Sequence, residues 1–124
     1  HGFLSKKDIS QKEELFRLFA ESHFLVLFSR QEAYGLSFCE GNAFGLPVVG
    51  PSIGGITTVI KNNVNGYLAS VPVDVDDIAH KILHTYQNQD SYTELAKSSY
   101  NEYKTRLNWN TACAKVKEIL TEIA

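Results

Sequence analysis

The stretch Phe24-Leu25-Val26-Leu27-Phe28-Ser29-Arg30-Gln31-Glu32-Ala33-Tyr34-Gly35-Leu36-Ser37-Phe38-Cys39-Glu40, closed by Gly45-Leu46-Pro47-Val48-Val49-Gly50, decides the fold. Residues 24–28 form a continuous apolar run of strand length, as expected of a strand buried on both faces of a parallel sheet. The run ends in polar residues 29–32. A short helix is predicted from Ser37 to Phe44, stopped by Gly45 and Pro47, and residues 47–50 supply a further short buried strand. The unit reads strand, helix, strand.

Working outward, residues 1–4 read as the end of a strand running into a loop at residues 5–8. Between Ser10 and Ser22, Leu15, Phe16, Leu18 and Phe19 recur at helical spacing among charged residues, which predicts an amphipathic helix. Downstream of Gly54-Gly55, residues 56–60 are read as a brief helix, and Asn65-Gly66 as a turn into a last short strand at Tyr67-Leu68. Asp74 is placed to cap a helix carrying Val75, Ile78, Ile82, Leu83 and Tyr86. Ser91 with Glu94 has the pattern of a capping box before Leu95, Ala96, Ser99 and Tyr103. A final helix holds Trp109, Cys113, Val116, Leu120 and Ile123.

Strands alternating with helices imply an α/β fold: a partial Rossmann-like, doubly wound parallel sheet of about four strands with two extra C-terminal helices. Those two helices are expected over the sheet edge or reaching toward something else. The 124 residues suit a single domain, residues 1–124.

With 44% hydrophobic and 21% charged residues the chain is an ordinary globular one rather than a disordered one. A net charge of -2 leaves no global field to attract nucleic acid or an anionic membrane. Cys39 and Cys113 both read as reduced core residues on apolar helix faces. No apolar run approaches the roughly 20 residues of a membrane span, and no signal-peptide pattern is present. The expected location is cytoplasmic, peripheral to a membrane in a full-length protein.

Residues 32–40 leave the carboxyl end of a strand and enter a helix, where open α/β sheets bind ligands. Gly35 permits close approach of backbone to ligand, and the amides of Leu36, Ser37 and Phe38 at the helix start offer an anion hole for a phosphate. Glu32 on the loop and Glu40 in the helix are placed to hydrogen-bond the two polyhydroxy parts of one ligand, on opposite sides of that phosphate. A sugar nucleotide has this layout. A plainer role for Glu40 is a capping box, in which Ser37 caps the helix and Glu40 returns the bond. His80 and His84 lie one helical turn apart but lack a third metal ligand, so they read as a surface pair, and His23 as structural.

The spacing of Glu32 and Glu40 resembles the Glu-x7-Glu motif of retaining GT-B glycosyltransferases, especially the family 4 group. Gly45-Leu46-Pro47-Val48-Val49 and Gly54-Gly55 follow at the matching distances, and the resemblance runs from Gly2-Phe3-Leu4 to the Trp109 helix. It implies a C-terminal nucleotide-sugar-binding domain whose acceptor domain lies upstream of any residue present. By the same resemblance, Glu32 is the catalytic-site residue contacting hydroxyls of the transferred sugar, and Glu40 binds the ribose. Backbone amides of Ala33, Tyr34, Gly35, Leu36 and Ser37 hold sugar and diphosphate, and Leu4 lies against the base. The implied reaction is transfer of a hexose from a nucleotide diphosphate sugar, with no cofactor and no metal, to a glycan, lipid or small-molecule acceptor. The chain departs from the family in having Thr58 where a glutamate is common. The family's diphosphate-neutralising Arg and Lys are not matched by Lys6, Lys7 or Arg30.

Three other functions fit parts of the pattern. A sugar-nucleotide epimerase or phosphorylase shares the architecture. A non-catalytic nucleotide-sugar-binding module needs no acceptor half. A two-carboxylate hydrolase requires acids flanking one glycosidic bond and a general acid of raised pKa, for which no burial is identifiable.

Overall fold

The computed structural model describes residues 2–123. Helix α1 spans Ile9–Glu21, strand β1 Leu25–Val26, α2 Leu36–Ala43, β2 Val48–Pro51, α3 Ile56–Val59 and β3 Gly66–Ala69. Three helices complete the chain: α4 (Val75–Gln87), α5 (Gln89–Thr105) and α6 (Trp109–Glu122). The strands form one parallel sheet in the order β1-β2-β3, with Leu25 opposite Val48 and Pro51 opposite Ala69. The Leu27 N–H donating to Val49 O at 2.9 Å carries the β1 pairing past its assigned end.

Side chains alternate across the sheet, as the two-residue period of a strand requires. On one face Phe38, Cys39, Val48, Ile56, Val59, Ile60 and Leu107 form a buried cluster, with Leu25 and Leu27 packed against it. On the other, Val49, Tyr67, Ala69, Ile78 and Leu95 pack together with Phe24 and Ile82. Helices therefore cover both faces, as the doubly wound reading requires.

Several expectations are corrected. Residues 2–4 form no strand, and His1 lies outside the described residues, so the sheet has three strands among the described residues instead of about four. Among the described residues no strand pairs with the outer side of β1, which is an edge strand: Val26 is 46% exposed and Phe28 42%, against the expectation of burial on both faces. Helix α1 has no fully buried residue; its apolar side meets the domain through Phe16 and Phe19 against the Phe44 ring. Helix α5 starts before Ser91 and is capped by Asn88, whose side chain accepts from the Ser91 N–H, so the Ser91-Glu94 box does not form. Asp74 caps α4 as expected. Cys39 is buried, and burial pushes its thiol pKa up, whereas Cys113 is exposed rather than in the core.

Helix α5 does not lie over a sheet edge. It crosses the amino ends of the strands, where Ser99 Oγ donates to the Asn65 carbonyl at 3.2 Å. That contact is part of a buried amide cluster. Asn65 Nδ2 donates to Asn42 Oδ1 at 2.7 Å and to Val59 O at 3.0 Å, and its Oδ1 accepts from Lys61 N–H at 2.7 Å. Asn42 Nδ2 donates to Leu46 O at 2.9 Å. Both asparagines are fully buried, so nearly all their hydrogen-bonding capacity has to be met internally. Loops at the carboxyl ends of the strands are thus mounted on a sheet that is tied firmly at its other end.

Arg106, just after α5, fastens α3 from the same side. Its guanidinium donates to the Thr58 and Val59 carbonyls at 2.8 Å each and pairs with Glu102, which also holds Lys61. Partial burial opposes ionisation of Glu102, but the Arg106 and Lys61 contacts outweigh it and the net pKa is lowered from 4.5. A carboxyl with a lowered folded-state pKa contributes stability at neutral pH that is lost as the pH falls from the unfolded-state value through the folded one. Glu102→Gln is therefore expected to cost about 1.5–3 kcal/mol at pH 7, the range for hydrogen bonds to charged groups. The wild-type and Gln variant thermal melts should converge in acid, and an equal gap at pH 7 and pH 3 would refute this account.

Candidate functional site

Two loops meet at the carboxyl ends of β1 and β2. Residues 29–35 follow β1 and residues 52–55 follow β2, and the Gly55 N–H reaches Glu32 O at 3.4 Å. The approach is closer than any side chain allows: a Cβ on Gly54 would lie 2.6 Å from Glu32 O, and one on Gly55 2.0 Å from Ala33 O. The double glycine therefore acts as a seat for the backbone of residues 32–34, beyond the turn expected of it.

Gly35 ends that loop as the N-cap of α2, at φ 93° and ψ 52° in the left-handed region. A Cβ there would meet the Phe38 ring at 2.7 Å, and Phe38 is fully buried. Helix α2 begins at Leu36, one residue before the expected start, and makes no side-chain cap. The Ser37-Glu40 capping box is therefore not formed, which releases Glu40 from the plainer role. Phe38 N–H already donates to Gly35 O at 3.0 Å, so the anion hole narrows to Leu36 and Ser37, first-turn amides with no intrahelical acceptor.

Around this helix start the structure brings together most of the residues singled out in the sequence. Glu32 is half-buried beside Gly35; Ala33, Tyr34, Leu36 and Ser37 are exposed; Glu40 is half-buried one turn further along α2. Among the described residues, the Glu32 carboxylate makes no hydrogen bond or ion pair. Leu4 is half-buried, and the chain two residues beyond it returns to the site, where Lys6 Nζ donates to Glu40 Oε1.

Three features were missed in the sequence reading. The Lys6–Glu40 pair joins residues far apart in the chain and leaves no local signal. Ser29 Oγ, at the end of β1, is buried without a hydrogen-bond partner. A cavity of about 560 Å³ adjoins the outer side of α2, lined by Tyr34, Leu36, Glu40, Leu107 and Trp109, with Arg106 at its wall. Arg106 is committed to α3 and Glu102, so it is not a free cation for this site. His80 and His84 are both exposed on α4, and His23 packs edge-on against Tyr86. No group of three or more metal-ligating side chains occurs among the described residues, nor any helix long and apolar enough to cross a membrane.

Residues 3–102 match the family model for glycosyl transferases group 1. The chain belongs to this family. It is similar to the N-acetyl-alpha-D-glucosaminyl L-malate synthase of Bacillus anthracis, 28% identical over 107 residues, covering 83% of this chain and 26% of that protein. It is also similar to a probable sucrose-phosphate synthase of Thermosipho melanesiensis, 31% identical over 111 residues, covering 86% of this chain and 25% of that protein. Among solved structures, Anabaena HepE in complex with UDP-glucose superposes with a TM-score of 0.72 at 22% identity, over 86% of this chain and 29% of the HepE chain. That likeness establishes the fold, which is the GT-B type. The chain spans under a third of the length of each of these relatives.

Proposed function

We propose that this chain is the donor-binding half of a retaining glycosyltransferase that moves a hexose from a nucleoside diphosphate sugar to an acceptor hydroxyl. The observation that carries the reading is the convergence of two free helix amides, Leu36 and Ser37, with Glu32 and Glu40 on either side of them. Family membership and the UDP-glucose held by HepE support a nucleotide sugar as the ligand of this layout.

In this reading the α2 amides hold the diphosphate, Glu40 accepts from the ribose hydroxyls, and Glu32 accepts from hydroxyls of the sugar. The backbone of Ala33, Tyr34 and Gly35 lies along the ligand, and Leu4 borders the base. Charge develops on the departing diphosphate in the transition state, and preorganised helix amides stabilise it there without reorganisation. Positioning supplies the rest. Glu32 orients the sugar rather than attacking it, and the acceptor is bound by a separate domain of a longer protein.

Titration of the chain with UDP and UDP-glucose tests the two carboxylates separately. Glu40→Ala should weaken both ligands by roughly ten- to a hundredfold, the range for a hydrogen bond to a charged group. Glu32→Ala should weaken only UDP-glucose, because UDP has no sugar for it to hold. Equal behaviour of the two variants toward the two ligands would overturn these roles.

A further inference from the structure

We propose that Lys6 is a positioning residue for the nucleotide, acting through Glu40; the inference rests on the donor-site reading above. Lys6 Nζ donates to Glu40 Oε1 across 34 residues of sequence, joining the segment before α1 to α2. The two side chains are 52% and 41% exposed, and exposed ion pairs of this kind add little to stability. What the pair does achieve is to offset the charge of one carboxylate in the site.

The segment carrying Lys6 is braced on both sides. Ser5 N–H donates to Gln11 Oε1 at 2.8 Å, Lys7 N–H to Ser5 Oγ at 3.3 Å, and Asp8 N–H to Ser5 O at 3.2 Å. Asp8 in turn caps α1 by accepting from the Gln11 N–H at 3.0 Å. Lys6 thus projects from a closed turn and not from a loose tail.

Glu40 lies one helical turn, about 5–6 Å along the axis, from the Leu36 and Ser37 amides. A diphosphate seated on those amides brings negative charge to the same end of the helix as the carboxylate. Alone, Glu40 would repel the ligand whose ribose it is to hold. Among the described residues Lys6 is its sole hydrogen-bond or ion-pair partner, and Arg106 is committed elsewhere. By taking Oε1, Lys6 offsets the repulsion, while Oε2 keeps its lone pairs for hydroxyl donors.

The test is calorimetric titration of wild-type, Lys6→Gln, Lys6→Arg, Glu40→Gln and the Lys6→Gln/Glu40→Gln double variant with UDP and with uridine, thermal melts serving as the folding control. Lys6→Gln should lose UDP affinity on the order of tenfold, between the roughly fourfold of a like-charge contact about 5–6 Å apart in bulk water and the roughly hundredfold of one in the lower dielectric of a protein surface, and uridine affinity by less than about twofold. Lys6→Arg should bind UDP like the wild type, and in the Glu40→Gln background the Lys6 effect should vanish. The assignment is overturned by wild-type UDP affinity in Lys6→Gln, by equal losses for UDP and uridine, or by a full loss persisting without the Glu40 charge, which would place Lys6 on the phosphate itself. A wild-type chain that binds no UDP, GDP or ADP overturns the donor-site reading, and this assignment with it.

Discussion

Gly55→Ala is expected to cost on the order of a hundredfold in UDP-glucose affinity while leaving the helices in place. The obstacle is space, not backbone conformation: Gly55 sits at φ -70° and ψ -12°, which alanine adopts freely. Its added Cβ would stand 2.0 Å from Ala33 O and 2.8 Å from both Ala33 C and Tyr34 Cα. All three are backbone atoms, so no rotamer change relieves the contact. Either residues 32–34 retreat or the turn at residues 52–55 does, and a displacement of about 1 Å in a binding loop can lower function by about 10²-fold. The overpacking itself costs about 1–3 kcal/mol, small enough for the domain to stay folded. Thr58→Ala is the control, since Thr58 is exposed and its hydroxyl makes no hydrogen bond among the described residues. Titration with UDP-glucose alongside thermal melting checks the pair, and a Gly55→Ala protein with wild-type affinity would sink the claim that the double glycine seats the donor loop.

What could be read in advance from the sequence, and what could not, divides along the distance over which each feature is decided. Helix α2, strand β2 and the turn before β3 were legible because apolar runs, Pro47 and Asn65-Gly66 act locally. The placing of Glu32 and Glu40 around a helix start followed from the same local pattern. Burial of β1 was misjudged because it depends on what lies beside the strand: Val26 and Phe28 have the composition of a two-sided core strand and the exposure of an edge. Cap choice also failed, since Gly35 and Asn88 compete with Ser37 and Ser91 over two or three residues and the backbone path decides between them. The Gly55–Ala33 contact, the Lys6–Glu40 pair and the Asn42–Asn65 cluster join positions about 20 to 34 apart, and only the folded chain reveals them.

The largest stability effect is expected at Asn65. Its side chain is fully buried and makes three hydrogen bonds, and its carbonyl accepts from Val48 N–H at 3.0 Å and from Ser99 Oγ, so one residue ties α2, β2, the end of α3 and α5 together. Asn65→Ala would leave the buried Asn42 Oδ1 and the partly buried Lys61 N–H without these partners. Each orphaned group costs about 1–3 kcal/mol, and the cavity adds to it, for a total of roughly 3–6 kcal/mol. Against the 5–15 kcal/mol that holds most domains together, such a loss brings the chain close to unfolding at physiological temperature. Asn65→Asp separates hydrogen bonding from packing, because it preserves volume. Its carboxylate can still accept from Lys61 N–H, but its second oxygen would face Asn42 Oδ1 and Val59 O, two acceptors, and the Arg106 guanidinium on that same Val59 carbonyl is already committed to Thr58 O and Glu102. Both variants should therefore melt well below the wild type at pH 7, with Asp recovering part of its loss in acid as the carboxyl takes up a proton and can donate again. An Asp variant as stable as the wild type at pH 7 would show that Asn65 fills space and that the amide cluster does not hold the amino end of the sheet.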